Sequence, residues 1–430
     1  MVLVGYNRGA IARVPDPSYP AAMNRHLFRA WICLQFVVFV RISQGEDWPQ
    51  FLGSRRNGTY VEAGIRPSWT AEGPAILWRR ALGQGFSGPI VKGTNLLMFH
   101  RVSDLEVLEC LDASKGTLIW SNSYPSHYRD DFGFDEGPRA TPAATVDHVY
   151  TYGAEGVLTC WNRADGKSVW TVDARKEFKA PKGFFGIACS PLVDRGLVLL
   201  NLGGDGAGIV AFDATTGKVR WKATDQRASY SSPTVADLHG QHLALVLTRE
   251  GLVVLKPEDG TVITEFQWRP PMEASVSAAT PLVIGDQVFL STSYERGAVL
   301  LQLDGKKLRK IWAGDQLSNH YATSVFHKGQ LFGFDGRQEQ GCNLRSVDFK
   351  TGKVNWSQDG FGAGTITLVN DELFVLTEKG ELLRAPATSE AFKPTGRAQV
   401  LPFQVRAYPA FADGKMYARS KDKLVCVNLR

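Results

Sequence analysis

No two cysteines are adjacent among the 6 in this chain, and none form a Cys-x-x-Cys pair. That spacing gives neither a disulfide framework nor a zinc site. Long apolar runs are absent as well. Ala30 to Val40, between Arg29 and Arg41, is a run of 11 residues, which at about 1.5 Å per residue reaches roughly half of a bilayer core. No membrane span is therefore expected. Neither sign of charge dominates, with 49 Lys and Arg against 43 Asp and Glu. No Ser-His-Asp or Cys-His spacing of a hydrolase is present. The glycine-rich Gly203–Gly208 has no helix after it to present amides to a phosphate, so it reads as a loop joining strands. Hydrophobic residues at 44% and charged residues at 21% exclude a disordered, collagen-like or multi-span membrane chain. A length of 430 residues implies two or three domains, or one repeat architecture.

The N-terminal apolar run has Arg25, His26 and Arg29 before it and the small residues Ser43 and Gly45 after it. A basic flank, a short apolar stretch and small residues at a cut site make residues 1–45 an upstream segment and signal peptide, with Met1 or Met23 as the start. The protein is thus expected to be exported, in a periplasmic or other extracytoplasmic location. Cleavage leaves five cysteines. Cys110, Cys160 and Cys426 each precede an Asp or Asn by two residues, so they hold equivalent places in different repeats and are not expected to pair. Apolar neighbours imply that the thiols are buried.

What the chain has in quantity is tryptophan, 11 in all, and several recur in register. Asp112-Ala-Ser-Lys-Gly116-Thr-Leu-Ile-Trp120 returns as Asn162 to Trp170, Asp213 to Trp221 and Asp348 to Trp356, with Gly166, Gly217 and Gly352 at the central place. Asp304 to Trp312 keeps the spacing with Gly305 shifted, Lys256 to Gly260 ends on Thr264, and the copy near Pro386 has decayed. Each copy follows a short apolar strand. The Asp can bond backbone amides in a turn, and Gly supplies the positive φ a tight hairpin needs. A second marker, small residues then usually Pro, opens a strand at Pro89, Pro142, Pro191, Pro233, Pro281, Ser324, Ile366 and Pro409. Proline at a strand's first residue forfeits no interior ladder bond. Eight units of four short strands predict an all-β, eight-bladed β-propeller over residues 76–430, after an N-terminal extension at 46–75.

The chain ends on Leu424 to Arg430, a third strand with no fourth after it, while Ile76-Leu-Trp78-Arg-Arg-Ala supplies an isolated Trp-bearing strand upstream. The last blade is expected to combine both termini and so remove an open edge. Trp78, Trp120, Trp170, Trp221, Trp312 and Trp356 are read as structural, docking one blade on the next. Each indole can bury roughly 150–250 Å², about 4–6 kcal/mol gross.

The Asp-Ala-x-x-Gly-x-x-x-Trp unit resembles the tryptophan-docking motif of pyrroloquinoline-quinone (PQQ)-like eight-bladed propellers, and the resemblance runs from 76 to 430. Asp47-Trp48-Pro49-Gln50-Phe51-Leu52-Gly53 also resembles exported bacterial proteins of that superfamily. The resemblance implies one of two classes. One is quinoprotein dehydrogenases, which oxidise alcohols or sugars with PQQ and Ca²⁺. The other is non-catalytic envelope scaffolds, including the lipoprotein of the outer-membrane β-barrel assembly machinery. The bare propeller length, the lack of a vicinal disulfide and the lack of a run of Ca²⁺ ligands favour the scaffold class, with no cofactor expected.

Several loops on one face are richer in polar and aromatic groups than turns require. Ser126 to Phe134 carries Asp130, Asp131 and Phe132, followed by Arg139; another loop carries Phe184 and Phe185. Tyr230, then Asn319, His320 and Tyr321, then Arg337 and Glu339 follow on later loops. These residues are expected to ring the channel mouth, either knitting neighbouring blades or binding an envelope protein, a peptide or a small polar or anionic ligand. His239 and His242 read as parts of a solvated hairpin, since two His do not fill a metal site. A monomer is expected. Nucleic acid is not an expected partner, because residues 1–45 carry five Arg against one Asp, and removing them takes the formal charge from +6 to +2.

Overall fold

Every copy of the repeat folds as two antiparallel strands joined by a turn, which Asp or Asn opens except at Lys256 and Pro386, and two more strands complete each unit. The computed structural model describes residues 45–430 except 71; the expected signal peptide lies outside the described residues. Eight sheets form the blades of a β-propeller. Blade 1 runs from the inner strand Ile90–Lys92 through Asn95–Val102 and Leu105–Asp112 to the outer strand Leu118–Pro125. Blade 3 repeats the order with Leu192–Asp194, Leu197–Gly204, Ala207–Asp213 and Val219–Ala223. The last blade takes Ala410–Ala412, Lys415–Arg419 and Lys423–Asn428 from the C-terminus and its outer strand, Ile76–Ala81, from upstream. Ile76 pairs with Val427 and Trp78 with Cys426. The ring is therefore closed by both ends of the chain, as expected.

The residues of the repeat perform separable tasks. The Asp213 carboxylate accepts from the amides of Thr215 and Thr216 at 3.1 and 2.9 Å, closing the turn, and Asp112 accepts from Ser114 and Lys115 in the same way. In the outer strand an extra residue then slips in before the Trp. Arg220 bulges between the Phe212–Val219 and Ala211–Trp221 pairs, as Ile119 does between the Leu111–Leu118 and Cys110–Trp120 pairs. The bulge re-aims the indole. It also explains why Leu77, Ile119 and Val169, each just before a Trp, are left exposed.

Each indole reaches the next blade's turn. Trp120 Nε1 donates to the Arg163 carbonyl at 3.1 Å, Trp170 to Ala214 at 3.1 Å, Trp221 to Pro257 at 2.8 Å and Trp312 to Phe349 at 2.9 Å. Trp78 carries the series across the seam to Ala113, and Trp356 bonds Thr388 in the decayed copy, where Phe392 packs against it. Glycine is needed beneath every one of these rings but Trp356, for two reasons. Gly217 sits at φ +70°, and a Cβ there would lie 2.7 Å from the Trp170 indole. Blade 4 lacks the Trp, and Gly305 of the following blade correspondingly has nothing within 4 Å of a Cβ. There His239 Nε2 bonds the Leu303 carbonyl at 2.8 Å instead. His242 stands between Asp194 and Asp237, 2.9 Å from each. The two histidines thus join blades rather than line a solvated hairpin.

The strand-opening markers prove to carry a hydroxyl belt. Gly88 N–H donates to Thr141 Oγ1, Thr141 N–H to Ser190 Oγ, Ser190 N–H to Ser232 Oγ and Thr280 N–H to Thr323 Oγ1, all at 2.9–3.1 Å. The small residue before the proline is thus selected for a donor–acceptor role across blades. Ile366 departs from the pattern, lying inside the strand Gly364–Val369. That strand is longer because Thr59–Tyr60 pairs with it in parallel, on the edge opposite Glu372–Thr377. The five cysteines 110, 160, 189, 342 and 426 are free and buried. Among the described residues no helix is long and apolar enough to cross a membrane.

Candidate functional site

The segment before the propeller does not stand apart from it. Trp48 forms a two-way bridge with Val91 of blade 1, and Pro49 accepts from Ala144 of blade 2. Arg56, fully buried, donates to the carbonyls of Pro191 at 3.1 Å and Ser190 at 3.3 Å. Burial without a counter-ion lowers its pKa to about 10. Residues 48–60 thus bind blades 1, 2, 3 and 7 from within the ring. Phe51 of this strap packs edge-on against Tyr408 at 5.4 Å, and the two line a cavity of about 500 Å³ that opens between the loops.

Phe86, Phe132, Phe134, Arg139, Phe184, Phe185, Tyr230, Tyr294, His320, Tyr321, Arg337, Glu339 and Arg406 form most of the remaining wall. Local bonding explains how the loops present them. Asp130 accepts from the amides of Phe132, Phe134 and Asp135 at 3.2, 2.8 and 3.0 Å and from Arg139 at 3.4 Å. One buried carboxylate therefore folds the loop and leaves its two phenylalanines outward. Tyr230 does the same for the neighbouring loop, its hydroxyl accepting from the amides of Phe184 and Phe185 at 2.8 and 3.1 Å. The four phenylalanines meet at ring distances of 5.1–6.4 Å.

The arginines are held by the same aromatics. Arg139 lies 5.8 Å from Phe86 and 5.9 Å from Phe185, Arg406 5.3 Å from Phe86, and Arg337 4.4 Å from Tyr294. Each is also paired, Arg139 with Asp130, Arg337 with Glu339 and Arg406 with Glu378. The mouth is cationic in appearance but charge-compensated. His320 Nδ1 accepts from the Gln338 amide, and Nε2 lies 3.0 Å from the Tyr294 hydroxyl. Burial pushes its pKa down to about 4, so it is neutral at pH 7.

Of the residues expected at the mouth, Arg139, Phe184, Phe185, Tyr230, His320, Tyr321, Arg337 and Glu339 line the cavity together. Asp131 does not, pairing on the exposed rim with Lys182 at 2.7 Å. Asn319 is buried beneath it, bonding the Phe334 carbonyl and Ser324. Sequence reasoning missed Phe51, Phe86, Tyr294, Arg406 and Tyr408 as wall residues. Arg406 and Tyr408 lie just before the marker Pro409, and that proximity was an available signal.

A calcium–quinone group does not fit this wall. Ca²⁺ takes six to eight oxygen ligands, whereas Asp130, Glu339 and Glu378 belong to separate loops and each already serves an arginine. Among the described residues no three His, Cys, Asp or Glu gather as a metal site. The same three pairs leave no unbalanced cations for the carboxylates of the quinone.

Similarity to known proteins agrees with the architecture. The Yersinia pestis outer membrane protein assembly factor BamB is 22% identical over 288 residues, covering 61% of this chain and 68% of that protein. The structure of BamB from Moraxella catarrhalis superposes with a TM-score of 0.61 at 13% identity, over 82% of this chain and 97% of the other. The quinohemoprotein alcohol dehydrogenase of Comamonas testosteroni gives 0.66 at 15% identity, over 89% and 80%. At such identities both structures speak for the fold alone. The family described as outer membrane protein assembly factor BamB matches residues 103–342, more than half the sequence, and the chain belongs to that family.

Proposed function

We propose that this propeller is an exported, non-catalytic scaffold or ligand-binding module of the bacterial envelope, and that the mouth described above is its binding face. The observation that carries this reading is the state of the three mouth arginines. Each is neutralised by a carboxylate and laid on an aromatic ring. Such a wall offers a shaped, aromatic surface rather than an array of reactive or metal-binding groups. His320, neutral and bonded through both nitrogens, supports the same view. Membership of the BamB family supports envelope proteins as the class of partner, and the basic-flanked apolar run at Ala30–Val40 supports export.

Quinoprotein-like oxidation of alcohols or sugars is the competing reading, supported by the shared fold. Mixing the purified protein with PQQ and Ca²⁺ separates the two. The scaffold reading expects no one-to-one quinone absorbance on the protein and no dye reduction with ethanol or glucose. Stoichiometric quinone binding with dye-linked turnover would overturn it. A second test uses Arg337→Ala, which breaks the pair with Glu339 and uncovers Tyr294. Binding of the envelope partner should weaken by about tenfold, the usual loss when an aromatic-stacked arginine leaves an interface core, with the melting temperature nearly unchanged.

A further inference from the structure

The apolar surface around the mouth continues beyond anything the cavity could hold. Phe132 is 54% exposed, Phe134 47% and Phe184 37%, and these three adjoin the cavity. Met272, at 42%, and Phe403, at 62%, stand on two more loops that supply cavity residues, Ala274 and Arg406. A small molecule seated in about 500 Å³ would leave this collar in water. The rings of Phe132, Phe134 and Phe184 adjoin one another, and exposed apolar surface of this kind marks an interaction face. We propose that the mouth takes an extended segment of another polypeptide, one aromatic side chain entering the cavity while the flanking main chain crosses the phenylalanine collar.

The charge pattern selects among large partners. Compensated arginines give no net positive field for nucleic acid or an anionic lipid surface. A cationic anchor is disfavoured too, since Arg139 and Arg406 already lie on the rings it would need. Phe, Tyr, Arg and Met at the mouth are the residue types concentrated at the cores of protein interfaces. Side-chain donors for a partner's main chain are also available. Arg406 bonds Glu378 through Nε, and neither of its Nη atoms has a hydrogen-bond partner among the described residues. The Tyr321 hydroxyl, by contrast, is buried behind the wall and offers nothing to an incoming chain. The two Arg406 Nη atoms can meet carbonyls of an extended chain, which no secondary structure of its own has satisfied.

This inference rests on the mouth being a binding face, and the test separates the two claims. Fluorescence anisotropy on the full chain would compare a labelled Ser/Asn/Gly decapeptide with one central Phe against the same peptide with Ala. Competition by N-acetylphenylalanine amide and by maltohexaose completes the set. The Phe decapeptide should bind at least tenfold more tightly than the Ala form and than either competitor. Phe132→Ser with Phe184→Ser should abolish that difference at unchanged melting temperature, while Ile119→Ser on the outer rim should leave it intact. Equal binding of the Phe and Ala peptides overturns the inference. So does tighter binding of the amide or the hexasaccharide at the mouth, although a binding face would then remain. Should neither decapeptide nor either competitor bind, the inference and the binding-face reading both fail.

Discussion

A glycine under an indole does two things that can be measured apart. Gly217 and Gly305 both have positive φ, +70° and +59°, but only Gly217 lies against a tryptophan. Gly305→Ala should cost only the left-handed backbone penalty of about 1–2 kcal/mol. Gly217→Ala adds a clash with the Trp170 ring and should cost about 1–3 kcal/mol more, read from urea unfolding of both variants. Equal losses would mean that the ring does not press on the turn. Trp221→Ala, removing a buried indole and its bond to Pro257, should lower stability by about 3–5 kcal/mol. These residues were legible in the sequence because each task is local and repeated. Turn, bulge and indole sit within nine positions and recur in several blades. The hydroxyl belt was half visible, since its prolines repeat but its donors and acceptors lie 42–53 residues apart.

At the scale of elements, local legibility runs out. The outer strand Ile76–Ala81 could be assigned to the last blade because an unpartnered Trp strand and a missing fourth strand call for each other. Nothing comparable announces the strap, whose only strand is Thr59–Tyr60. Its course is set by Arg56 finding two main-chain carbonyls on blade 3 and by Trp48 packing 5.6 Å from Phe411. Such contacts have no sequence period. Arg56→Ala removes hydrogen bonds from a charged donor, each worth about 1.5–3 kcal/mol. Amide exchange in residues 48–60 should accelerate well before the blades open, and unchanged protection there would show that the contacts of Trp48, Pro49, Phe51 and Tyr60 hold the strap without Arg56. The Asp130 loop makes a second case. Asp130→Ala unties three amides and Arg139 together. Exchange should rise across residues 130–135, and Phe132 and Phe134 should lose their fixed places beside Phe185.

For the molecule as a whole, two partly buried histidines act on stability in opposite directions. His242 joins blade 3 to blade 4 with Asp194 on one nitrogen and Asp237 on the other. A neutral imidazole has one N–H and can donate to one carboxylate only, so both bonds require the imidazolium. Partial burial and the neighbouring Arg195 work against the charge, but the two carboxylates prevail and raise the pKa above the ordinary value. Its contribution is fully present below the unfolded pKa near 6.5 and is lost as pH climbs through the raised folded value. His320 behaves inversely. Burial holds it at about 4, so folding favours the neutral ring, and its contribution is lost as pH falls from about 6.5 toward 4. Stability should therefore peak near the ordinary histidine range and decline on both sides. His242→Gln should flatten the alkaline arm, because an amide cannot gain a proton for the second carboxylate, while leaving the acid arm in place. Urea midpoints at intervals from pH 5 to 9 on the two proteins would show it, and an alkaline slope identical in both would mean that the clamp between blades 3 and 4 carries no proton-linked energy.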